Sequence, residues 1–188
     1  MSRFAALLLL ALSAGMAWAG PSDAGSEIAV RVEIRDGVVH IEAEASIPAS
    51  VREVWDVLTD FENLPRFISN ITSSKVLARN GNVVRISQTG KGGFGPFAFE
   101  FQSTRELTLT PFEGFESRMI EGNMKRFRGT TRLESAAGMT RIRYQSDAVP
   151  DTALPLGFAR STIERETLEH YLEISREVLR RKAGTSGK

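Results

Sequence analysis

The 188-residue sequence contains no cysteine and only two histidines, His40 and His170. Without cysteine, neither a disulfide framework nor a thiolate metal site can form, so packing alone must stabilise the fold. Two imidazoles are also too few for a usual structural zinc site. The composition therefore predicts a protein without a metal.

An excess of either charge is also missing. The chain has 24 Lys and Arg residues against 23 Asp and Glu residues, and its first 19 residues hold one Arg and no acid. A chain that begins after residue 19 therefore has no net charge. This balance gives no electrostatic basis for binding nucleic acid. The composition does not indicate an oligomeric state.

The N-terminus carries an apolar run from Phe4 to Ala14 behind a single charge, Arg3. Ala17-Trp18-Ala19 then supplies the small residues that signal peptidase requires. The run is shorter than the roughly 20 residues that span a bilayer, which favours a signal peptide over a membrane anchor. We expect an exported, periplasmic protein with a signal peptide over 1–19, a leader over 20–27, one domain over 28–182 and a flexible tail over 183–188.

Alternation of apolar and polar residues predicts a series of antiparallel strands. The first hairpin joins residues 28–35 to residues 39–47 through the turn Asp36-Gly37. Turn residues separate the later segments. Further strands are predicted at 71–78, 83–89, 97–109, 114–120, 125–134 and 140–149.

Two short helices interrupt this pattern after the first hairpin. Ser50 and Glu53 have the spacing of a capping box, which predicts a helix over 48–58, and Asp60 is suited to cap a second short turn. The sequence closes with a long amphipathic helix from Leu156 to about Lys182. His170 lies beside the apolar stripe of this helix, which predicts that it faces solvent. The element order favours a curved sheet that grips the last helix.

Residues 48–67, PASVREVWDVLTDFENLPRF, resemble the opening signature of the polyketide cyclase/dehydrase and coenzyme Q-binding START-domain families. A weaker likeness runs through residues 124–133 and the closing helix. Thr131 stands where such families commonly have an aromatic residue, so the resemblance does not extend to a close subfamily. The resemblance implies the α+β helix-grip fold of the START-like superfamily, with a cavity for a hydrophobic lipid, quinone or polyketide.

The strand that begins at Phe97 contains the most distinctive candidate site residue, Arg105. If the phenylalanines of this strand face the helix, then Arg105 does so too, because side chains alternate along a strand. A buried, unpaired cation costs several kcal/mol, so Arg105 lies at a cavity mouth, pairs with an acid or is turned outward by a bulge. The predicted cavity residues are Phe97, Phe99, Phe101, Arg105, Tyr144, Ser146, Ile163, Thr167 and Tyr171.

The glycine-rich segment Gly90–Pro96 is predicted to be a loop. It lacks the GK[ST] ending of a phosphate-binding loop, so no nucleotide and no other cofactor is predicted. Phe94 is a candidate lid over the cavity, and a plain hairpin loop is the alternative.

Basic residues recur on one face of the last two predicted strands. They indicate either a transient contact with a membrane surface or an ordinary solvated face. These residues are Arg126, Arg128, Arg132, Arg141 and Arg143.

No motif in the sequence pairs a nucleophile with a base, so no catalytic residue is assigned. The pattern favours a protein that binds or transports a hydrophobic small molecule without changing it. The alternative is an aromatase/cyclase-like or dehydratase-like enzyme that uses the same cavity.

Overall fold

The structure is a computed structural model that describes residues 22–23, 25–94, 97–151 and 159–185. The predicted signal peptide lies outside these ranges. Within them the chain forms nine strands and two α-helices. They are β1 (Ser22–Asp23), β2 (Ser26–Arg35), β3 (Val38–Ile47), α1 (Val51–Leu58), β4 (Ile71–Asn80), β5 (Val83–Phe94), β6 (Phe97–Thr110), β7 (Gly114–Gly122), β8 (Met124–Ala136), β9 (Met139–Pro150) and α2 (Arg160–Thr185).

The nine strands form one antiparallel sheet in the order β1-β2-β3-β9-β8-β7-β6-β5-β4. Strand β3 pairs with β9, so the first hairpin and the meander from β4 to β9 join along this one ladder. The predicted turn at Asp36-Gly37 has positive φ at both residues, 52° and 75°, as a tight hairpin requires. The predicted strands are confirmed, with ends that differ by a few residues.

The capping box predicted for the first helix is present. Ser50 Oγ accepts a hydrogen bond from the backbone N–H of Glu53 at 3.3 Å, and the Glu53 carboxylate accepts one from the backbone N–H of Ser50 at 2.7 Å. Helix α1 therefore begins at Val51, three residues later than predicted, because Ser50 is the cap. A 3-10 helix over Phe61–Arg66 follows it.

Helix α2 packs against β2 and α1 and closes one side of the sheet. Its C-terminal half contains most of its buried residues, including Ile174 and Val178. Distant parts of the chain hold this half in place. Ser175 Oγ lies 2.5 Å from Ser26 Oγ, and Arg181 donates to Asp60 Oδ2 at 2.7 Å. This arrangement confirms the predicted helix-grip fold.

The glycine-rich segment is the main correction to the predicted elements. Residues 90–94 belong to β5 and pair with β6 from Phe97 to Phe101, so the predicted loop is wrong over this stretch. A Cβ atom at Gly90 would lie 2.2 Å from the Phe101 ring and 2.3 Å from the carbonyl oxygen of Asn70. At Gly90, glycine therefore allows close packing within a strand.

Both ends of the domain extend beyond the predicted bounds. Strand β2 starts at Ser26, inside the predicted leader, because the side chain of Ser26 is buried against α2. Helix α2 continues to Thr185, inside the predicted tail, and Thr185 Oγ1 donates to the carbonyl oxygen of Arg181 at 3.0 Å. None of the helices in the described ranges combines the length and apolar character needed to cross a bilayer.

Candidate ligand cavity

Arg105 lies on the inner face of β6, between buried Ser103 and Leu107. Its guanidinium donates a hydrogen bond to Gln88 Oε1 on the neighbouring strand β5. Gln88 in turn donates through Nε2 to Ser74 Oγ on β4, at 3.1 Å. Three inward side chains from three adjacent strands therefore form a hydrogen-bonded chain.

The charge of Arg105 has no acidic partner. Within the described residues no carboxylate lies in ion-pair distance of the guanidinium, and its buried Nε–H has no acceptor. The guanidinium lies over the ring of Phe127, 5.5 Å from the centroid. Burial lowers the pKa of Arg105, although a guanidinium stays charged at neutral pH. Of the three predicted fates for Arg105, pairing with an acid is not found among the described residues, and a neutral amide is the partner instead.

Two tyrosines and a histidine lie where the sheet meets α2. Tyr144 on β9 and Tyr171 on α2 have ring centroids 6.1 Å apart, and His170 meets the edge of Tyr171 at 5.6 Å. Burial raises the pKa of Tyr144, and burial together with Tyr144 raises that of Tyr171 well above 10. Burial and then the charge of Arg105 lower the pKa of His170 to about 4. At neutral pH these three groups are uncharged, and Arg105 carries the charge of this cluster.

The polar cluster is neither fully buried nor fully exposed. Arg105, Tyr144 and His170 keep a partly exposed surface, yet burial is the largest cause of the pKa shift of each. Both observations hold if the exposed surface faces an internal space rather than bulk water. Phe101 and Phe127 are also half-buried on the same face of the sheet. These residues are therefore candidates for the wall of a cavity between the sheet and α2.

Two buried hydroxyls complete the polar part of this wall. Ser117 on β7 and Ser146 on β9 flank Gly129 in one row across the sheet, and neither Oγ has a hydrogen-bond partner of good geometry. The serine residues are 7% and 5% exposed. Ser146 Oγ nevertheless lies close enough to the Tyr144 hydroxyl to lower the pKa of that tyrosine, against the larger effect of burial. Buried hydroxyls normally find a partner, so Ser117 Oγ is free to donate to a bound molecule.

The predicted cavity residues divide into three groups. Phe97 and Phe99 lie on β6, but their side chains are outside the described part of the structure, as is that of the candidate lid residue Phe94 on β5. Ile163 and Thr167 are half-buried and lie about two turns and one turn, respectively, before Tyr171 on α2. The geometry brings together Phe101, Arg105, Tyr144, Ser146 and Tyr171.

His170 was predicted to face solvent. It is half-buried beside the ring of Tyr171, and burial is the largest cause of its lowered pKa. The sequence analysis also missed Gln88, Ser117 and Phe127. Gln88 was open to inference, because it continues the inward alternation of Val84 and Ile86.

The outer face of the sheet has a different character. Arg141 pairs with Glu44 at 3.0 Å, and Arg143 pairs with Glu134 at 2.9 Å. Arg126, Arg128 and Arg132 are exposed. A groove of about 520 Å³ on this face is lined mainly by charged residues. Ligand pockets are usually lined by apolar residues, so the interior is the better ligand site.

Comparisons with known proteins agree with this geometry. The family model described as "Polyketide cyclase / dehydrase and lipid transport" matches residues 47–173. A Streptomyces halstedii protein described as "Putative polyketide cyclase" is 42% identical over 50 residues, which are 27% of this chain and 46% of that protein. The chain thus spans about half the length of this relative.

Two solved structures share the fold. The Zhui aromatase/cyclase from Streptomyces sp. R1128 superposes with a TM-score of 0.66 at 18% identity, covering 77% of this chain and 95% of that one. The STAR-related lipid transfer protein from Xanthomonas axonopodis superposes with a TM-score of 0.65 at 15% identity, covering 85% and 96%. At these identities the likeness establishes the fold alone, and the two named activities differ.

Proposed function

Because the chain belongs to the polyketide cyclase/dehydrase and lipid transport family, we propose that it binds a hydrophobic small molecule between the sheet and α2 and carries it unchanged. The family and the fold support a domain that binds a hydrophobic ligand. Apolar burial supplies the affinity of such a site, at about 25 cal/mol per Å² of surface removed from water. A few polar wall groups orient the ligand.

The protonation states of His170 and Tyr171 favour a carrier over an enzyme. A general acid or base works best with a pKa near the operating pH. Burial moves the pKa values of this cluster away from neutral pH. The pKa of His170 falls to about 4, and that of Tyr171 rises well above 10. At neutral pH His170 is therefore a weak base, and Tyr171 is a weak acid.

A cyclase-like enzyme is the second candidate, and Arg105 is the observation that favours it. A buried cation with unpartnered donors beside it can stabilise an enolate oxygen that gains negative charge in a transition state. An enzyme of this kind would need the interior to hold and fold a polyketone chain. The two candidates share the cavity and differ in whether the bound molecule leaves unchanged.

A cavity-filling variant tests the proposed function. Thr167→Trp places a large ring from α2 into the interior, and Arg165→Trp places the same ring on the exposed side of the same helix. We expect Thr167→Trp to weaken binding of the neutral fluorescent probe N-phenyl-1-naphthylamine at least tenfold, and Arg165→Trp to bind it like the wild type. Equal binding by both variants, with both folded by circular dichroism, would contradict an interior site.

Turnover separates the carrier from the cyclase. The wild type and Arg105→Gln are incubated with a linear poly-β-ketone thioester, and the recovered molecule is analysed by mass spectrometry and ultraviolet absorbance. A carrier returns the substrate unchanged. Cyclised product formed by the wild type and lost in the variant would make the enzyme the correct assignment.

The N-terminal pattern supports a further part of the proposal, export to the periplasm with cleavage after Ala19. N-terminal sequencing of the protein from the periplasmic fraction should find Gly20 as the first residue. Protein that keeps Met1 in the membrane fraction would contradict cleavage.

A further inference from the structure

The geometry points to a ligand that carries one carboxylate on an apolar body, with the carboxylate held by Arg105 and a neighbouring hydroxyl donor. This inference rests on the proposed function, since it specifies the chemical class of the molecule in the same cavity.

The first argument is the unbalanced charge. Arg105 has a neutral amide and an aromatic ring as its neighbours, and its Nε–H has no acceptor. In the described ranges no acid approaches it. A buried cation without a counter-ion is unfavourable, so the interior is better matched to an anion than to a neutral molecule.

The second argument is the presence of unused donors. Ser117 Oγ is buried without a partner, and the Nε–H of Arg105 is free to donate. The side-chain oxygen of Gln88 is already occupied by Arg105. A carboxylate accepts hydrogen bonds through both oxygens and donates none, so it suits such a wall. Charge-assisted hydrogen bonds of this kind are stronger than neutral ones.

The third argument is the size of the charge. His170 and the two tyrosines are neutral at pH 7, so the cluster carries a single positive charge from Arg105. A carboxylate matches this charge. A phosphate monoester carries about 1.5 to 2 negative charges at pH 7, which would leave negative charge unbalanced in the interior.

Three probes with the same tail test the head group: dodecanoic acid, 1-dodecanol and dodecyl phosphate. Each displaces N-phenyl-1-naphthylamine from the wild-type protein at pH 8. We expect dodecanoate to bind about ten- to hundredfold more tightly than dodecanol, the range for one hydrogen-bonded charge pair. Dodecyl phosphate should bind more weakly than dodecanoate.

Two variants locate the preference. In Arg105→Gln the ratio of acid to alcohol affinity should fall to about one, whereas Arg128→Gln, which removes an exposed arginine from the outer face, should keep the wild-type ratio. The wild-type comparison needs no variant, so the inference remains testable if Arg105→Gln does not fold.

These measurements distinguish failure of the carboxylate inference from failure of the proposed function. If the neutral probe binds but the wild type binds acid and alcohol equally, or prefers the phosphate, the inference is wrong and the proposed function stands. If acid preference survives in folded Arg105→Gln, the carboxylate lies elsewhere and the inference is wrong. If the neutral probe does not bind at all, the proposed function fails as well.

Discussion

Tyr144 of the sheet and Tyr171 of the closing helix face each other across the interior, with ring centroids 6.1 Å apart and ring planes inclined at 53°. Tilted aromatic pairs at this distance are favourable beyond the area they bury. The contact joins β9 to α2 close to Arg105 and His170. The two rings therefore contribute both to the packing of the helix and to the polar end of the cavity.

Tyr171 allows the packing role to be separated from the role of the hydroxyl. Tyr171→Ala removes a ring that is 5% exposed and should lower the free energy of unfolding by about 3–5 kcal/mol. Tyr171→Phe keeps the ring and should cost no more than about 1 kcal/mol. Urea denaturation followed by circular dichroism measures both. Equal losses in the two variants would assign the stability to the hydroxyl instead.

The buried hydrogen bond between Ser26 and Ser175 should anchor the start of β2 to α2. Ser26→Ala leaves the Ser175 hydroxyl buried without a partner, so we expect a loss of about 1–3 kcal/mol. The double variant should cost less than the sum of the two single variants, because the second change removes the unpaired hydroxyl. Thr72→Ala breaks a similar bond to Thr89 at 3.0 Å on the exposed surface and should have little effect. A strictly additive cycle for the serines would contradict the pairing.

His170 should make the folded protein sensitive to mild acid. Its pKa is about 4 in the folded state and near 6.5 in an unfolded chain. As the pH falls from 6.5 towards 4, the unfolded chain takes up this proton first, so the free energy of unfolding falls. Between pH 7.5 and 4.5 the wild type should lose roughly 2 kcal/mol more than His170→Gln. Parallel losses in the two proteins, measured by urea denaturation, would place His170 in water.

Gly90 should tolerate no larger residue. In Gly90→Ala the new methyl group would overlap the Phe101 ring and the carbonyl oxygen of Asn70. Overpacking of this kind typically costs about 1–3 kcal/mol. Gly184→Ala on α2 meets no atom within 4 Å and should be neutral or slightly stabilising. Thermal melts of the two variants provide the comparison, and a Gly90→Ala protein as stable as the wild type would refute the tight packing.

The sequence alone was sufficient where neighbouring residues decide the structure. The Ser50 and Glu53 capping box, the Asp36-Gly37 turn and the alternation along the strands all depend on groups a few residues apart. The resemblance of residues 48–67 to START-domain families added the correct fold. Alternation also predicted that Arg105 shares a face with Leu107, as the structure confirms.

The sequence alone was insufficient where the same local pattern allows two outcomes. A run of glycines is typical of a loop, yet Gly90 lies in a strand and pairs with Phe101. A glycine is needed there because a Cβ atom would overlap the Phe101 ring. A histidine beside an apolar stripe is typical of a solvated position, yet His170 is half-buried, and burial lowers its pKa to about 4. In each case residues distant in the sequence decide the environment.

The sequence by itself determined the strand and helix segments, the cap of α1 and the family, because these depend on short-range spacing and on a contiguous motif. Only the tertiary structure decided that Arg105 would meet Gln88 rather than an acid, and that the Ser117 hydroxyl would be buried without a partner. Gln88, Arg105, Tyr144 and Tyr171 come from four different elements. The charge and the hydrogen-bonding capacity of the cavity arise when folding excludes water from these groups together, and no segment carries that property alone.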